Sequence, residues 1–253
     1  MGAHTSVPTP GRSAMRGPVP RPASAPPGVP GRPAALVAYG RDRLWDLRRR
    51  LKAELCALRP ARHPHATDQA ARFEALYADE LDPFHYTTAD YERRKYDLCV
   101  AMLPTRPIGS AYEPGCSIGE LTVRLAPYCD ELLASDVSEE ALQRARQRTR
   151  GYDNITYERH LLPRDHPVGP FDLVVMGELG YYLEPPALHE LIRRMAATVA
   201  PGGYLLAVHG RGVSRDIYHP GDIVHRHLLL ETGLRRAASY REEAFRIELL
   251  QRT

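Results

Sequence analysis

Glu113, Gly115, Cys116 and Gly119, followed by Asp136, combine residue types and spacing suited to holding a nucleotide-like ligand. They lie in IGSAYEPGCSIGELTVRLAPYCDELLASD, residues 108 to 136. The stretch reads as a strand ending at Glu113, a tight loop over 115 to 119, a helix from about Glu120 and a second strand ending on Asp136. A glycine loop with an acid at the end of the next strand is the nucleotide-binding layout of a Rossmann-like βαβ unit. The glycines admit backbone angles that a side chain forbids, and the second-strand carboxylate can accept from both hydroxyls of a ribose. The pattern is Glu-x-Gly-x-x-x-Gly rather than the dinucleotide G-x-G-x-x-G. A carboxylate just ahead of the loop repels a pyrophosphate and suits the ammonium of a methionyl group. The loop therefore favours S-adenosylmethionine (SAM) over NAD or FAD.

Two further residues sit where ligands gather in open α/β sheets, at the carboxyl ends of strands. Glu178 follows a buried strand and His209 ends another, so either could take a proton. His209 reads equally as a satisfied wall histidine, and Glu178 as a structural or cofactor-contacting carboxylate. Tyr181 and Tyr182 suit packing as well as stacking on a substrate. His219, His225 and His227 invite a metal reading, but His225 and His227 are two apart and face different sides of a helix. Cys56, Cys99, Cys116 and Cys129 form no C-x-x-C pair. No metal is expected.

The elements that must position these groups follow from periodicity. Ser138 caps a helix opening on Glu139-Glu140 and closing on Arg146 and Arg148, acids and bases matched to the helix ends. Residues 154–158 read as strand three, and FDLVVM (171–176) as a buried strand four. A helix over about 187–199 stops at Pro201-Gly202-Gly203, strand five covers 204–209, a helix covers 222–231, and 234–238 and 244–250 supply two last strands. Ahead of the first strand, LDPFHYTTADYERRKYDLCVAML reads as a helix capped by Thr88 that carries Tyr91, Arg94 and Lys95. Its charges read as a solvated basic face, with a lid over the site as the competing reading. A short helix is expected over 68–78, and Leu44, Leu47, Leu51, Leu55 and Leu58 mark an amphipathic one within 36–58. The expected organisation is a Pro/Arg-rich disordered leader (1–34), a helical extension (35–80) and an α/β domain (81–253).

Composition narrows the function classes. The 253 residues carry 34 basic and 31 acidic side chains. Four arginines and no acid fall in the first 34, so the rest holds 30 basic against 31 acidic residues and is near neutral. Net charge thus gives no support for a nucleic-acid partner. No run of 18 apolar residues appears, and a cytoplasmic protein is expected.

With these residues in view, EPGCSIGELTVRLAPYCDELLASDVSEEALQRAR, FDLVVMGELGYYL, APGGYLLAVHG and DPFHYTTADYERRKYDL together resemble the nodulation protein S (NodS) family of SAM-dependent methyltransferases. The resemblance runs from about residue 76 to the C-terminus. It implies the class I methyltransferase fold, a Rossmann-like seven-stranded sheet with helices on both faces and an antiparallel hairpin at one edge. It also implies methyl transfer from SAM to an amine of a small molecule or oligosaccharide, with no nucleic-acid or membrane partner. By the family pattern, Glu113, Gly115 and Gly119 hold the methionyl part, Asp136 the ribose and the backbone around His160 and Leu161 the adenine, with Cys116 and Val137 also on the cofactor. Gly177 borders the site, and Tyr91 and Arg94 close it. Leu161 stands where relatives usually place an Asp, Gly177 replaces a Ser, and His209-Gly210-Arg211 replaces His-Trp-Arg, so the family's chitooligosaccharide acceptor is not carried over. A protein or nucleic-acid methyltransferase, a non-catalytic SAM-binding module and a nicotinamide-dependent oxidoreductase stay open. No Asn-Pro-Pro-Tyr or Asp-Pro-Pro-Tyr block follows residue 176 to favour base methylation.

Overall fold

The computed structural model describes residues 66–214 and 216–253. The leader, and the leucine-patterned helix within 36–58, lie outside the described residues. Among those described, helices α1 (Ala66–Asp79) and α2 (Asp90–Ala101) precede strand β1 (Ile108–Pro114). Then come α3 (Thr122–Leu125), β2 (Cys129–Asp136), α4 (Glu139–Arg148), β3 (Ile155–Arg159) and β4 (Phe171–Gly177). The chain finishes with α5 (Pro185–Thr198), β5 (Val199–Gly210), α6 (Gly221–Glu231), β6 (Arg235–Arg241) and β7 (Phe245–Gln251). The strands form one seven-stranded sheet in the order β3-β2-β1-β4-β5-β7-β6. Strands β3 to β5 pair in parallel, while β7 runs antiparallel between β5 and β6. This is the class I methyltransferase sheet.

Apolar runs rather than alternation mark the central strands because both faces are covered. Leu173 and Val175 face a core shared with Tyr96 and Cys99 of α2 and Leu125 of α3. Val174 and Met176 face the other, built from Leu188, Leu191, Ile192 and Met195 of α5 and Val224 and Leu228 of α6. The spacing i, i+3, i+4, i+7 along α5 puts its four apolar residues on one stripe.

Helix α4 starts as expected: Ser138 Oγ accepts from the Ala141 N–H at 3.2 Å, a cap worth about 1 kcal/mol. The start of α2 differs. Its N-cap is Ala89, with no side-chain cap. Thr88 instead gives its N–H to the His85 carbonyl, and Asp82 collects the N–H groups of Tyr86 and Thr87 and the Thr87 hydroxyl. A side-chain-organised turn over 82–88 has replaced the cap. The helix after the loop is also shorter than expected, because Pro127 interrupts it after one turn and leaves a 3-10 segment over Ala126–Tyr128.

Candidate active site

Strand order reverses between β1 and β4, and a cleft opens there at the carboxyl ends of the strands. Its volume is about 1070 Å³, counting the mouth. Glu113, Gly115, Cys116, Asp136, Val137, His160, Leu161, Gly177 and Glu178 all line it.

The loop after β1 is built from left-handed residues: Gly115 at φ 70°, Ser117 at 52° and Gly119 at 78°. Gly119 does not reach the cleft lining. Its missing side chain serves packing, since a Cβ there would stand 3.0 Å from Ala145 on α4. Asp136, 8 % exposed, closes the loop by accepting from Ser117 N at 2.9 Å and Ser138 N at 3.0 Å. A carboxylate has room for about four hydrogen bonds. Acceptor capacity thus remains for a ligand's hydroxyl.

Glu113 is the electrostatic anomaly of the cleft. It is 3 % exposed, and its Oε2 is buried without a hydrogen-bond partner. Burial, with a smaller push from Asp136, raises its carboxyl from 4.5 to about 8. A group in that state calls for a cation. Helix α1 roofs the same cleft with Gln69, Phe73 and Tyr77; Gln69 Nε2 is buried with no partner among the described residues, and Tyr77 bonds its hydroxyl to Ser117 Oγ at 2.5 Å.

Beyond Asp136, Tyr112 ties the wall together: its hydroxyl meets Ser135 Oγ at 3.0 Å and His160 Nδ1 at 3.2 Å. Glu158 holds the other ring nitrogen of His160 at 2.8 Å. Leu161 contributes an apolar wall, but its amide is committed to Asp165 Oδ2 at 2.9 Å.

A second pocket, of about 720 Å³, adjoins the first and shares Phe84, Tyr86, Glu178 and Tyr182 with it. Glu178 is the hub between them. It sits at φ 50°, bonds Lys95 Nζ and the Tyr181 hydroxyl, and accepts from Gly210 N at 3.0 Å. Lys95 is 1 % exposed, also reaches Glu92 Oε2 at 2.7 Å, and lies 4.9 Å from the Tyr91 ring centroid. Burial alone would raise Glu178, but the Lys95 ammonium holds it below its ordinary value, with His209 and the Gly210 amide adding to the effect. Lys95 is held above its own ordinary value despite burial, by Glu178 and Glu92. The expected solvated basic face is therefore split. Its lysine is buried in the site.

Tyr91 lines this second pocket rather than the cofactor-sized cleft, with its ring edge-on to Phe245 at 5.6 Å. Arg94 lines neither. It is one residue from Lys95, so it points about 100° around the helix, to Tyr240 at 2.8 Å and Glu242 at 2.6 Å on the β6–β7 hairpin. His209 is also displaced from its expected place at the pocket mouth. It is 0 % exposed; Nε2 accepts from Gly180 N at 3.2 Å, and Nδ1 meets His225 Nε2 at 3.1 Å. His225 in turn gives Nδ1–H to Glu248 Oε2 at 2.8 Å. Burial and the neighbouring His225 push His209 well below its ordinary range. Strand alternation aims position 209 into the α6 core, away from the pocket mouth.

The roof is what the motif search missed. Gln69, Phe73 and Tyr77 stand at i, i+4 and i+8, one face of one helix, a pattern visible in the sequence and readable there only as packing.

Comparisons with known proteins bear on the family and the fold. The family profile described as Nodulation protein S (NodS) matches residues 70–217. Nodulation protein S of Bradyrhizobium diazoefficiens is 33 % identical over 129 residues, 49 % of this chain and 61 % of that protein. The chain thus spans under two thirds of the length of this curated relative. A solved structure of a provisionally named methyltransferase from Pseudomonas syringae is 38 % identical, with a TM-score of 0.57, covering 64 % of this chain and 99 % of that one. The N-methyltransferase NodS of Bradyrhizobium japonicum WM9, solved with S-adenosyl-L-homocysteine, shares the fold at a TM-score of 0.64 and 23 % identity, over 75 % of this chain and 99 % of that one.

Proposed function

This chain belongs to the nodulation protein S family, and from that premise we propose that it transfers a methyl group from SAM to an amine nitrogen of a small, sugar-like molecule. A cytoplasmic role in oligosaccharide modification fits this reading. Among the described residues, no helix is long and apolar enough to cross a membrane.

The residues present fit the cofactor. Glu113, whose buried Oε2 has no partner among the described residues, suits the ammonium, Asp136 keeps acceptor capacity for ribose hydroxyls, and Gln69 offers a buried donor. Gly115 and Cys116 border the methionyl side, Val137, His160 and Leu161 the nucleoside side, and Gly177 the base of the cleft. SAM supplies an electrophilic methyl on a sulfonium. The chain's own work is to position the acceptor and to meet the charge that moves onto its nitrogen as the new C–N bond forms.

The observation that carries the acceptor reading is Glu178, a carboxylate held ionised where the two pockets meet. With Glu92 and Lys95 beside it the second pocket has two anions to one cation, and Tyr91, Tyr181 and Tyr182 line its wall. Such a site favours a nitrogen becoming cationic. Glu178 is depressed, so it orients an N–H and offsets charge better than it removes a proton; the amine arrives as its free base. The near-neutral net charge of the body gives no support for a polyanionic acceptor. Mass spectrometry across a panel of amino sugars and simple amines tests the reading by the gain of one methylene. Methylation of a hydroxyl, thiol or carboxylate compound alone overturns it.

Two further outcomes follow for the cofactor. Asp136→Ala should weaken S-adenosylhomocysteine by about 10- to 100-fold, the loss of charge-assisted hydrogen bonds. Titration calorimetry checks this, and wild-type affinity would refute the assignment. Helix α1 roofs the cleft through the Tyr77–Ser117 contact, so hydrogen exchange over 66–79 should slow when S-adenosylhomocysteine binds. The α2 segment from Tyr91 to Lys95, anchored on Phe245 and Glu178, should change less; the reverse order would return the lid to α2.

A further inference from the structure

Away from both pockets, where α5 crosses α6, three side chains converge. His189 on α5 and His227 on α6 both aim Nδ1 at the carboxylate of Glu231, at 2.8 and 2.7 Å. The two rings meet edge to face at 4.7 Å. One ligand atom from each of the three lies within 4.8 Å of the other two.

We propose that His189, His227 and Glu231 form a binding site for a zinc-class divalent cation that clamps α5 to α6. Two imidazoles and a carboxylate are a ligand set for zinc, cobalt or nickel rather than for magnesium or calcium. Zinc bonds of about 2.0–2.1 Å place neighbouring ligand atoms about 3.3 Å apart. The present spacings bracket that figure, with the hydrogen-bonded pairs closer and the outer limit wider, so small side-chain rotations admit an ion. Each neutral imidazole shifts its proton from Nδ1 to Nε2, and the Nδ1 lone pair then faces the metal. His227 and Glu231 are one turn apart on a single face, and Glu231 ends α6, where the helix carbonyls favour a cation. Of the nearby arginines, Arg193 and Arg194 are both turned to Glu190, at 2.5 and 2.7 Å. The side chains of His189, His227 and Glu231 are 39, 28 and 27 % exposed, open enough for water to complete the coordination. The histidine pair noted in the sequence is divided: His225 is buried against His209, while His227 bonds Glu231 one turn along α6 and meets His189 across the helix interface.

The test uses the full chain without a histidine tag, titrated with zinc chloride by calorimetry and by thermal unfolding. One zinc per chain should bind and raise the melting temperature. His189→Ala, His227→Ala and Glu231→Gln should each weaken that binding by more than tenfold and abolish the thermal shift, while S-adenosylhomocysteine affinity stays at the wild-type value and reports an intact fold. X-ray absorption should show a nitrogen and oxygen shell without the longer sulfur distance of a thiolate, about 2.3 Å. Wild-type protein that takes up no zinc at about 100 μM, a free energy near 5.5 kcal/mol, overturns the site. So does equal binding by His189→Ala and His227→Ala, or a sulfur shell.

Discussion

Glu113→Gln is expected to weaken S-adenosylhomocysteine binding by about 10²–10³-fold, the cost of removing one partner from a buried, hydrogen-bonded charge pair. The pH dependence identifies the cause. Burial holds Glu113 at about 8, so near neutrality the carboxyl is mostly protonated. The ligand's ammonium needs the carboxylate. Wild-type affinity should therefore climb with pH, approaching about tenfold per unit, and level off above that value. Glu113→Gln should be flat over the same range. The stability effect has the opposite sign. A carboxyl whose folded pKa exceeds its ordinary 4.5 binds its proton more tightly in the folded state, so it subtracts stability progressively as pH rises from there to about 8. The ligand-free Gln variant should melt higher than wild type at about pH 8. Calorimetry in steps of pH checks both halves, and a flat wild-type binding profile refutes the first.

The second large effect belongs to Glu178 and Lys95. Glu178→Gln should lower kcat by about 10²–10³-fold, the scale seen when one preorganised electrostatic contact to developing charge is removed. S-adenosylhomocysteine affinity should fall much less. Lys95→Met leaves two carboxylates, Glu92 and Glu178, without the cation between them. Breaking a buried pair in this way costs about 3–5 kcal/mol. Glu178, released from Lys95, should rise toward neutrality, so the surviving activity should gain a dependence on its ionisation that the wild type lacks. Wild-type Glu178 is depressed, and its contribution to stability is lost only as pH falls through that low folded value. Adding Glu178→Gln to Lys95→Met should recover stability and leave kcat low. His209→Ala serves as the contrast. It opens a buried hydrogen-bonded chain and should lower the melting temperature without altering the shape of the pH–rate profile. A pH–rate profile for His209→Ala that loses a wild-type ionisation, beside an unchanged Glu178→Gln, would reverse the assignment.

The parts of this molecule written in short-range pattern were legible. An acid, two spaced glycines and a second acid fixed both the loop and the ends of β1 and β2, because that geometry needs few residues and all are contiguous. The buried run of β4 and the capped start of α4 were equally plain. What escaped depends on which way a helix or strand is turned. Tyr91 and Lys95, four apart, enter the site together, while Arg94 between them turns to the hairpin. His209 alternates into the core when its neighbour Gly210 faces the pocket. Gln69, Phe73 and Tyr77 share a face, but only the fold says that the face covers a cleft. Sequence periodicity gives the stripe and not the neighbour.

The backbone at Glu178 carries a consequence for any attempt to evolve this chain in the laboratory. A left-handed angle at a residue with a side chain costs about 1–2 kcal/mol, which glycine escapes and asparagine partly escapes. In a library built on Lys95→Met, where no buried cation rewards the carboxylate, a heat challenge alone should drive position 178 toward Gly or Asn, gaining robustness and discarding the hub of two pockets. The same library sorted on product formation should keep Glu. Sequencing both populations would turn one torsion angle into a measured conflict between endurance and turnover, with position 178 as the site where the two selections diverge most.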